Sequence, residues 1–351
     1  MRDRYLGCFL GGAVGDALGA PLEFKSMDEI RATVAVTRSS SLGPEGVREF
    51  GLAYGKRGAI TDDTQMTLFT AEGLLRAHNR RLANGLGEPT ALLHRAYLRW
   101  LETQRMGAPP PRPDGWLASV VAMYERRAPG QTCLGALRAG VRGSPDRPIN
   151  NSKGCGGVMR VAPVGLTRWE PFELGCAAAA ITHTHPLGYL AAGAFAVMIR
   201  EIVDGKRLSR AAEAASRALR KAEGGQVLKD LLERAMYIAE YGDPSPEHLI
   251  SLGEGWVAEE ALAMGLYCAA SVDNLDDGIA LAVLHGGDSD STGAIAGNLL
   301  GAMYGVHAIP ERWLRELELY EEIVRLAQDM YLHFHEADFE TSETDWLRYP
   351  G

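Results

Sequence analysis

Apolar positions recur at helical spacing along most of the chain, and alternating strand patterns are almost absent. The period predicts helices over 3–20, 62–78, 90–104, 115–127, 132–140, 171–181, 186–204, 208–222, 226–241, 257–270, 273–284, 289–306 and 311–335. Leu68, Ala71, Leu74 and Leu75 give one of them its apolar face, and Leu93, Tyr97, Trp100 and Leu101 another. Residues 36–60 and 141–157 are Gly-rich and polar, and read as loops. Ala108-Pro-Pro-Pro-Arg-Pro is a stiff connection, and the acidic stretch 336–351 reads as an irregular tail. No composition break marks a linker, so one all-α domain is expected over 1–351, with its core at 4–335.

Two of these helices carry glycine at every fourth position. Gly11, Gly15 and Gly19 share one face of the first, and Gly293, Gly297, Gly301 and Gly305 one face of the helix near 289–306. Glycine weakens a helix by about 1 kcal/mol against alanine. Two such stripes are therefore expected to pack on each other, antiparallel, with Glu23 brought beside Asp288 and Asp290. Each stripe packing on some other helix is the plainer alternative.

From Gly293 to Ile309 there is no charged residue, so that helix is expected to be buried, yet it is entered through Asp288-Ser289-Asp290-Ser291-Thr292. Seventeen residues fall short of the roughly 20 needed to span a bilayer. Capping explains one such side chain at a helix start, but not two acids and three hydroxyls. Thr61-Asp62-Asp63 opens a second apolar helix in the same way. Carboxylates that converge without a counter-charge resist ionisation, and no Lys or Arg neighbours either acidic cluster in sequence. A hard cation with oxygen ligands, Mg2+, Mn2+ or Ca2+, resolves this. Two metals about 3.5–4 Å apart would suit Glu23, Asp62, Asp63, Asp288 and Asp290. Capping alone remains the other reading of each cluster.

Asn151-Ser-Lys-Gly-Cys-Gly-Gly-Val-Met-Arg160 offers either an anion-binding nest or a tight turn, and lacks the Lys-Ser/Thr that completes a Walker loop. Cys155 has no paired base in view and is read as a lining residue. In Thr182-His183-Thr-His185-Pro186, one histidine is expected to line a pocket at a helix entry, and Asp16 to cap or to support from behind. The net charge of −9 argues against general nucleic-acid binding. The N-terminal stretch lacks a signal-peptide layout, and five scattered cysteines fit a reduced, cytoplasmic protein with no membrane role.

Taken in order, Gly15-Asp-Ala-Leu-Gly19 with Glu23, Thr61-Asp62-Asp63, Gly154 to Arg160, His183-Thr-His185-Pro and Gly287-Asp-Ser-Asp-Ser-Thr-Gly293 resemble the motif set of ADP-ribosylglycohydrolases. The resemblance runs from about residue 4 to 306. It implies a compact helical fold with two Mg2+ or Mn2+ ions at the base of a cleft, and the ligands Thr61, Asp62, Asp63, Asp288, Asp290 and Ser291. It also implies catalytic duties for Glu23, Asp62, Asp63 and Asp290. Substrate contacts would come from Ser152, Lys153, Gly154, Cys155, Gly156, Gly157 and His183. Cys155-Gly156 departs from the Asn-Gly of many members, and Ser291 from the Thr of several. The implied substrate is an ADP-ribosylated protein, with arginine as the expected linkage and ADP-ribose as the product. Serine-linked or small-molecule conjugates, a non-catalytic crystallin-like relative, and another metal hydrolase on an unrelated helical fold are the alternatives.

Overall fold

The structure is a computed structural model that describes residues 1–41, 43–336 and 341–351. At its centre two helices, Arg2–Gly19 and Ser289–Tyr304, lie antiparallel with their backbones in contact. The glycines are the reason. A Cβ on Gly15 would lie 1.9 Å from the carbonyl oxygen of Gly293, and one on Gly301 would lie 1.9 Å from that of Gly7. Gly11 faces Gly297 in the same way, and Gly19 meets the backbone of Ser289 and Asp290. The expected pairing is therefore observed, with Gly7 added to the first stripe. Asn298 locks the register by donating its Nδ2 to the Cys8 carbonyl at 2.7 Å, across a face left open by Gly12.

Around this pair the remaining helices form an all-α fold. Asp62–Asn84 packs beside Pro89–Thr103, while Pro171–Ala180, Pro186–Val203, Leu208–Leu219 and Gly225–Tyr241 build the far side. Ala258–Ala270 and Leu275–Ala282 flank the central helices. Pro186–Val203 has the length and composition of a membrane span, with mean hydropathy 1.4, but 72% of it is buried within the fold. It is a core helix, apolar all round because protein surrounds it.

The differences from the expected elements have local causes. Residues 115–127 form two short 3-10 turns, Leu117–Ser119 and Val121–Tyr124, because Gly115 takes φ 97° and Val120 is extended. The helix expected over 311–335 is broken into Glu311–Glu316 and Tyr320–His335. Leu319 adopts φ 59°, and the break lets Glu318 reach Lys56 at 2.6 Å and Arg127 at 3.1 Å. The 36–60 loop carries two small antiparallel hairpins, Val36–Arg38 with Glu45–Val47 and Leu52–Ala53 with Lys56–Arg57. Before it, Met27–Thr33 is a helix opened by a capping box between Ser26 and Glu29. The acidic tail is partly ordered: Glu343–Arg348 is a helix, and the Tyr349 hydroxyl donates to Asp329 at 2.7 Å. Residues 337–340 of that tail lie outside the described residues.

The glycine contact makes a quantitative expectation. Gly15→Ala forces backbone apart, and overpacking of this kind costs typically about 1–3 kcal/mol. Gly135→Ala lies in a helix with open space around the new methyl group and should stabilise by about 0.5–1 kcal/mol. Denaturant unfolding of both variants checks this, and a neutral Gly15→Ala would contradict the close packing.

Candidate active site

Because Gly19 abuts Ser289 and Asp290, the end of the first helix is fixed against the start of the Ser289–Tyr304 helix. The turn after Gly19 then carries Glu23 over that start. Carboxylate oxygens of Glu23, Asp288 and Asp290 lie within 4.8 Å of one another. The second acidic pair arrives through Asp16. Its buried carboxylate accepts from the Thr61 amide at 3.0 Å, from the Thr64 amide at 3.1 Å, and from the Thr64 hydroxyl. The first helix thereby caps the Asp62–Asn84 helix from outside and ties its N-terminus to the centre of the fold. Thr61 caps the same end through the Asp63 amide, 3.2 Å away, and its hydroxyl bonds to Asp290. The Asp62 carboxylate is held by the Gly130 amide at 3.2 Å.

These acids share the floor of a cleft of about 590 Å³. Its wall includes Glu23, Asp62, Asp63, Asp288, Asp290 and Ser291 together with Gly154, Cys155, Gly156 and His183. Asp62, Asp63, Asp288 and Asp290 are all buried, and Glu23 is half-buried. Burial pushes every one of them up, and the neighbouring carboxylates push further: Asp290 acts on Glu23, Asp62, Asp63 and Asp288. Glu23 is raised to about 10 and Asp16 to about 7. No basic side chain is among the groups that set these shifts.

A cation fits this donor set. Asp63 Oδ2 is buried without a hydrogen-bond partner, an oxygen that a positive ion would satisfy. The donors are carboxylates and hydroxyls, the ligands of hard divalent ions. Asp288 also acts as the cap of its helix, accepting from the Ser291 amide at 3.3 Å, so capping and cation binding are not exclusive here.

The Gly-rich loop forms the adjoining wall. It is pinned where the Cys155 amide donates to the Trp256 carbonyl at 3.1 Å and Gly154 bridges to Val257. A Cβ on Gly156 would lie 2.9 Å from Cys133 Sγ and 3.0 Å from His183 Cε1, so glycine is needed for the imidazole to approach the loop. Burial lowers His183 to about 3, and it is neutral. Arg160 donates to the Thr182 hydroxyl at 2.7 Å, and that hydroxyl lies 2.8 Å from His183 Nδ1. The Thr182 contact fixes the ring, which turns Nε2 toward Gly154 and Gly156.

Three residues expected to touch substrate do not line the cleft. Lys153 turns outward to an ion pair with Glu259, Ser152 turns to the Thr132 hydroxyl at 3.1 Å, and Gly157 is buried under Ala179. Thr61 likewise lies behind the wall and meets the site through Asp290 and through the Asp63 amide. Conversely, Phe24, Arg126, residues 128–133, Met159 and Trp256 line it and were not singled out by pattern. Phe24 and Trp256 stack at 5.3 Å, with Phe24 in the left-handed region at φ 66°. Their signal was faint: one aromatic beside Glu23, and one just after Gly253 and Gly255.

A model of the ADP-ribosylglycohydrolase family matches residues 1–339. An ADP-ribosyl-[dinitrogen reductase] glycohydrolase of Rhodospirillum rubrum is 29% identical, over 92% of each chain. An ADP-ribosylarginine hydrolase of Pseudomonas putida is 26% identical, covering 99% of this chain and 82% of its own. A solved structure described as an ADP-ribosylglycohydrolase-related protein complex superposes with a TM-score of 0.65 and 30% identity, over 94% of this chain and 97% of that one.

The raised acids predict a pH signature. Unfolded, Glu23 loses its proton near 4.5; folded without a cation, it keeps it to about 10. The folded state therefore binds more protons in that window, and stability falls as pH rises through it. A bound cation reverses this penalty. Mn2+ should raise the melting temperature more at about pH 8 than at about pH 5. An equal shift at both values would contradict the shared carboxylate site.

Proposed function

The chain belongs to the ADP-ribosylglycohydrolase family, and on that premise we propose that it hydrolyses the bond between ADP-ribose and an arginine side chain of a modified protein, releasing ADP-ribose. The observation that carries this reading is the meeting of Glu23, Asp62, Asp63, Asp288 and Asp290 on one cleft floor, with the three acids Glu23, Asp288 and Asp290 close enough to share one ion. Arginine is chosen over serine because a relative spanning the whole chain is named for ADP-ribosylarginine.

In this reading Asp62, Asp63, Asp288, Asp290 and the Ser291 hydroxyl hold two Mg2+ or Mn2+ ions, with Thr61 supporting Asp290 from behind. When bound, such ions supply Lewis acidity and a template for sugar hydroxyls. The remaining steps belong to the protein. The His183 imidazole and the Gly154–Gly156 wall orient the nucleotide part of the substrate. Cleavage at the ribose C1″ passes through an oxocarbenium-like state, and the buried carboxylates stabilise its positive charge in a site of low dielectric. Glu23, half-buried at the cleft and ionised once a cation shares the site, accepts the proton of the attacking water. The leaving guanidine departs toward the mouth, past Phe24 and Trp256. Five free cysteines suit a cytoplasmic setting.

The test uses arginine-linked and serine-linked ADP-ribosylated peptides, each with and without EDTA. Release of ADP-ribose is expected from the arginine peptide, abolished by chelator. Asp62→Ala and Asp290→Ala should each lose at least roughly 100-fold in kcat/KM with an unchanged circular dichroism spectrum. Full turnover in EDTA, or turnover of the serine peptide alone, would overturn the reading.

A further inference from the structure

Two aromatic rings stand at the edge of the acidic floor. Phe24 and Trp256 stack with their centroids 5.3 Å apart and their planes 20° from parallel, and both line the cleft. Phe24 is 73% exposed, and its backbone sits in the left-handed region at φ 66°. That conformation is unfavourable for a residue with a Cβ, and a ring so exposed recovers little of the cost by burial. Trp256 is tied to both neighbouring walls. Its carbonyl accepts from the Cys155 amide at 3.1 Å, and two residues earlier the Glu254 carbonyl accepts from the Asp288 amide at 2.9 Å. Gly255 turns the chain between them at φ 85°, where a Cβ would lie 2.9 Å from Thr292 Cγ2. Phe24 directly follows Glu23. Each ring is therefore held one or two residues from backbone that positions the acids.

Elsewhere the chain covers aromatic faces with its own cations: Arg160 lies 4.1 Å over the Tyr97 ring and Arg127 4.7 Å over that of Tyr54. Among the described residues, no arginine or lysine lies over Phe24 or Trp256. A guanidinium is drawn to such a face by the ring quadrupole and stacks flat upon it. We propose that Phe24, backed by Trp256, is the acceptor subsite of the cleft, taking the guanidinium of the modified arginine on its open face and so favouring a cationic acceptor over a neutral one. This rests on the hydrolase reading given above. The bond to be cleaved joins a guanidine nitrogen to C1″, so the guanidinium adjoins the carbon over which Glu23 works, and Phe24 is the next residue. The acids of the floor favour any cation, whereas the ring adds a flat surface that fits a planar one. A serine acceptor brings neither charge nor plane and gains nothing from the stack.

The experiment uses the full chain with Mn2+ and compares the wild type with Phe24→Leu, Phe24→Ala and Phe24→Tyr. It measures KM and kcat on an arginine-linked ADP-ribosylated peptide, the inhibition constant of the serine-linked peptide, and the calorimetric affinity for ADP-ribose. Phe24→Leu keeps apolar bulk and loses the π face, so it should raise the arginine-peptide KM by roughly three- to thirtyfold. Phe24→Ala should do the same, and Phe24→Tyr should keep the wild-type value. ADP-ribose affinity, the serine-peptide constant and the melting temperature should not move in any of the three. An unchanged arginine-peptide KM in Phe24→Leu overturns the proposal. An equal loss of ADP-ribose affinity also overturns it, because the ring would then serve the nucleotide. If the wild type turns over neither peptide, the hydrolase reading fails. Calorimetry of the uncleaved arginine peptide then decides the role of Phe24: the wild type should bind it more tightly than ADP-ribose, and Phe24→Leu should lose that difference.

Discussion

The backbone contact between the first helix and the Ser289–Tyr304 helix is the constraint from which the rest follows. Four glycines, Gly7, Gly11, Gly15 and Gly19, run against Gly301, Gly297, Gly293 and the Ser289–Asp290 backbone. Each glycine forgoes helix propensity, and what is gained is an approach too close for any Cβ. That approach fixes where Glu23 lies relative to Asp288 and Asp290. It also fixes Asp16, which reaches sideways to cap the Asp62–Asn84 helix. One packed helix thus sets the position of both acidic helix starts, although they are more than 200 residues apart in the chain.

The acids so assembled are costly. Asp62, Asp63, Asp288 and Asp290 are buried, each is raised by burial, and the charge of Asp290 raises the other three further. An active site is where such a cost is tolerated, because charge that is poorly compensated in the resting protein is available to a cation or to a developing positive centre. Elsewhere the fold compensates its buried charges in ordinary ways. Glu72 pairs with Arg99 at 3.2 Å, and Arg48 with Asp277 at 2.6 Å. The contrast within one molecule separates the cleft from structural ion pairs.

Much of this was legible in the residues. Periodic glycine and periodic leucine are local signals of close and ordinary helix packing, and they located the central helices and the junctions that bear the acids. The charge-free run after Asp290 told of burial. What was not legible depends on single backbone choices. The φ of Leu319 breaks a helix whose apolar period continues across it, and the φ of Phe24 turns a side chain toward the cleft. The Ser26–Glu29 capping box was present in the sequence and unread. Side-chain direction in the Gly-rich loop was also out of reach, because Lys153 finds Glu259 and Ser152 finds Thr132, partners more than 15 residues away. Phe24 and Trp256 come from opposite halves of the chain, and only the fold makes them neighbours.

The central claim is that acids from two separate helix starts act as one cation site. Anomalous diffraction from crystals of the protein grown with Mn2+ tests it most directly. The account predicts manganese peaks on the cleft floor, bounded by Asp62 and Asp63 on one side and Asp288 and Asp290 on the other. Crystals saturated with Mn2+ that show no peak between those pairs would contradict it.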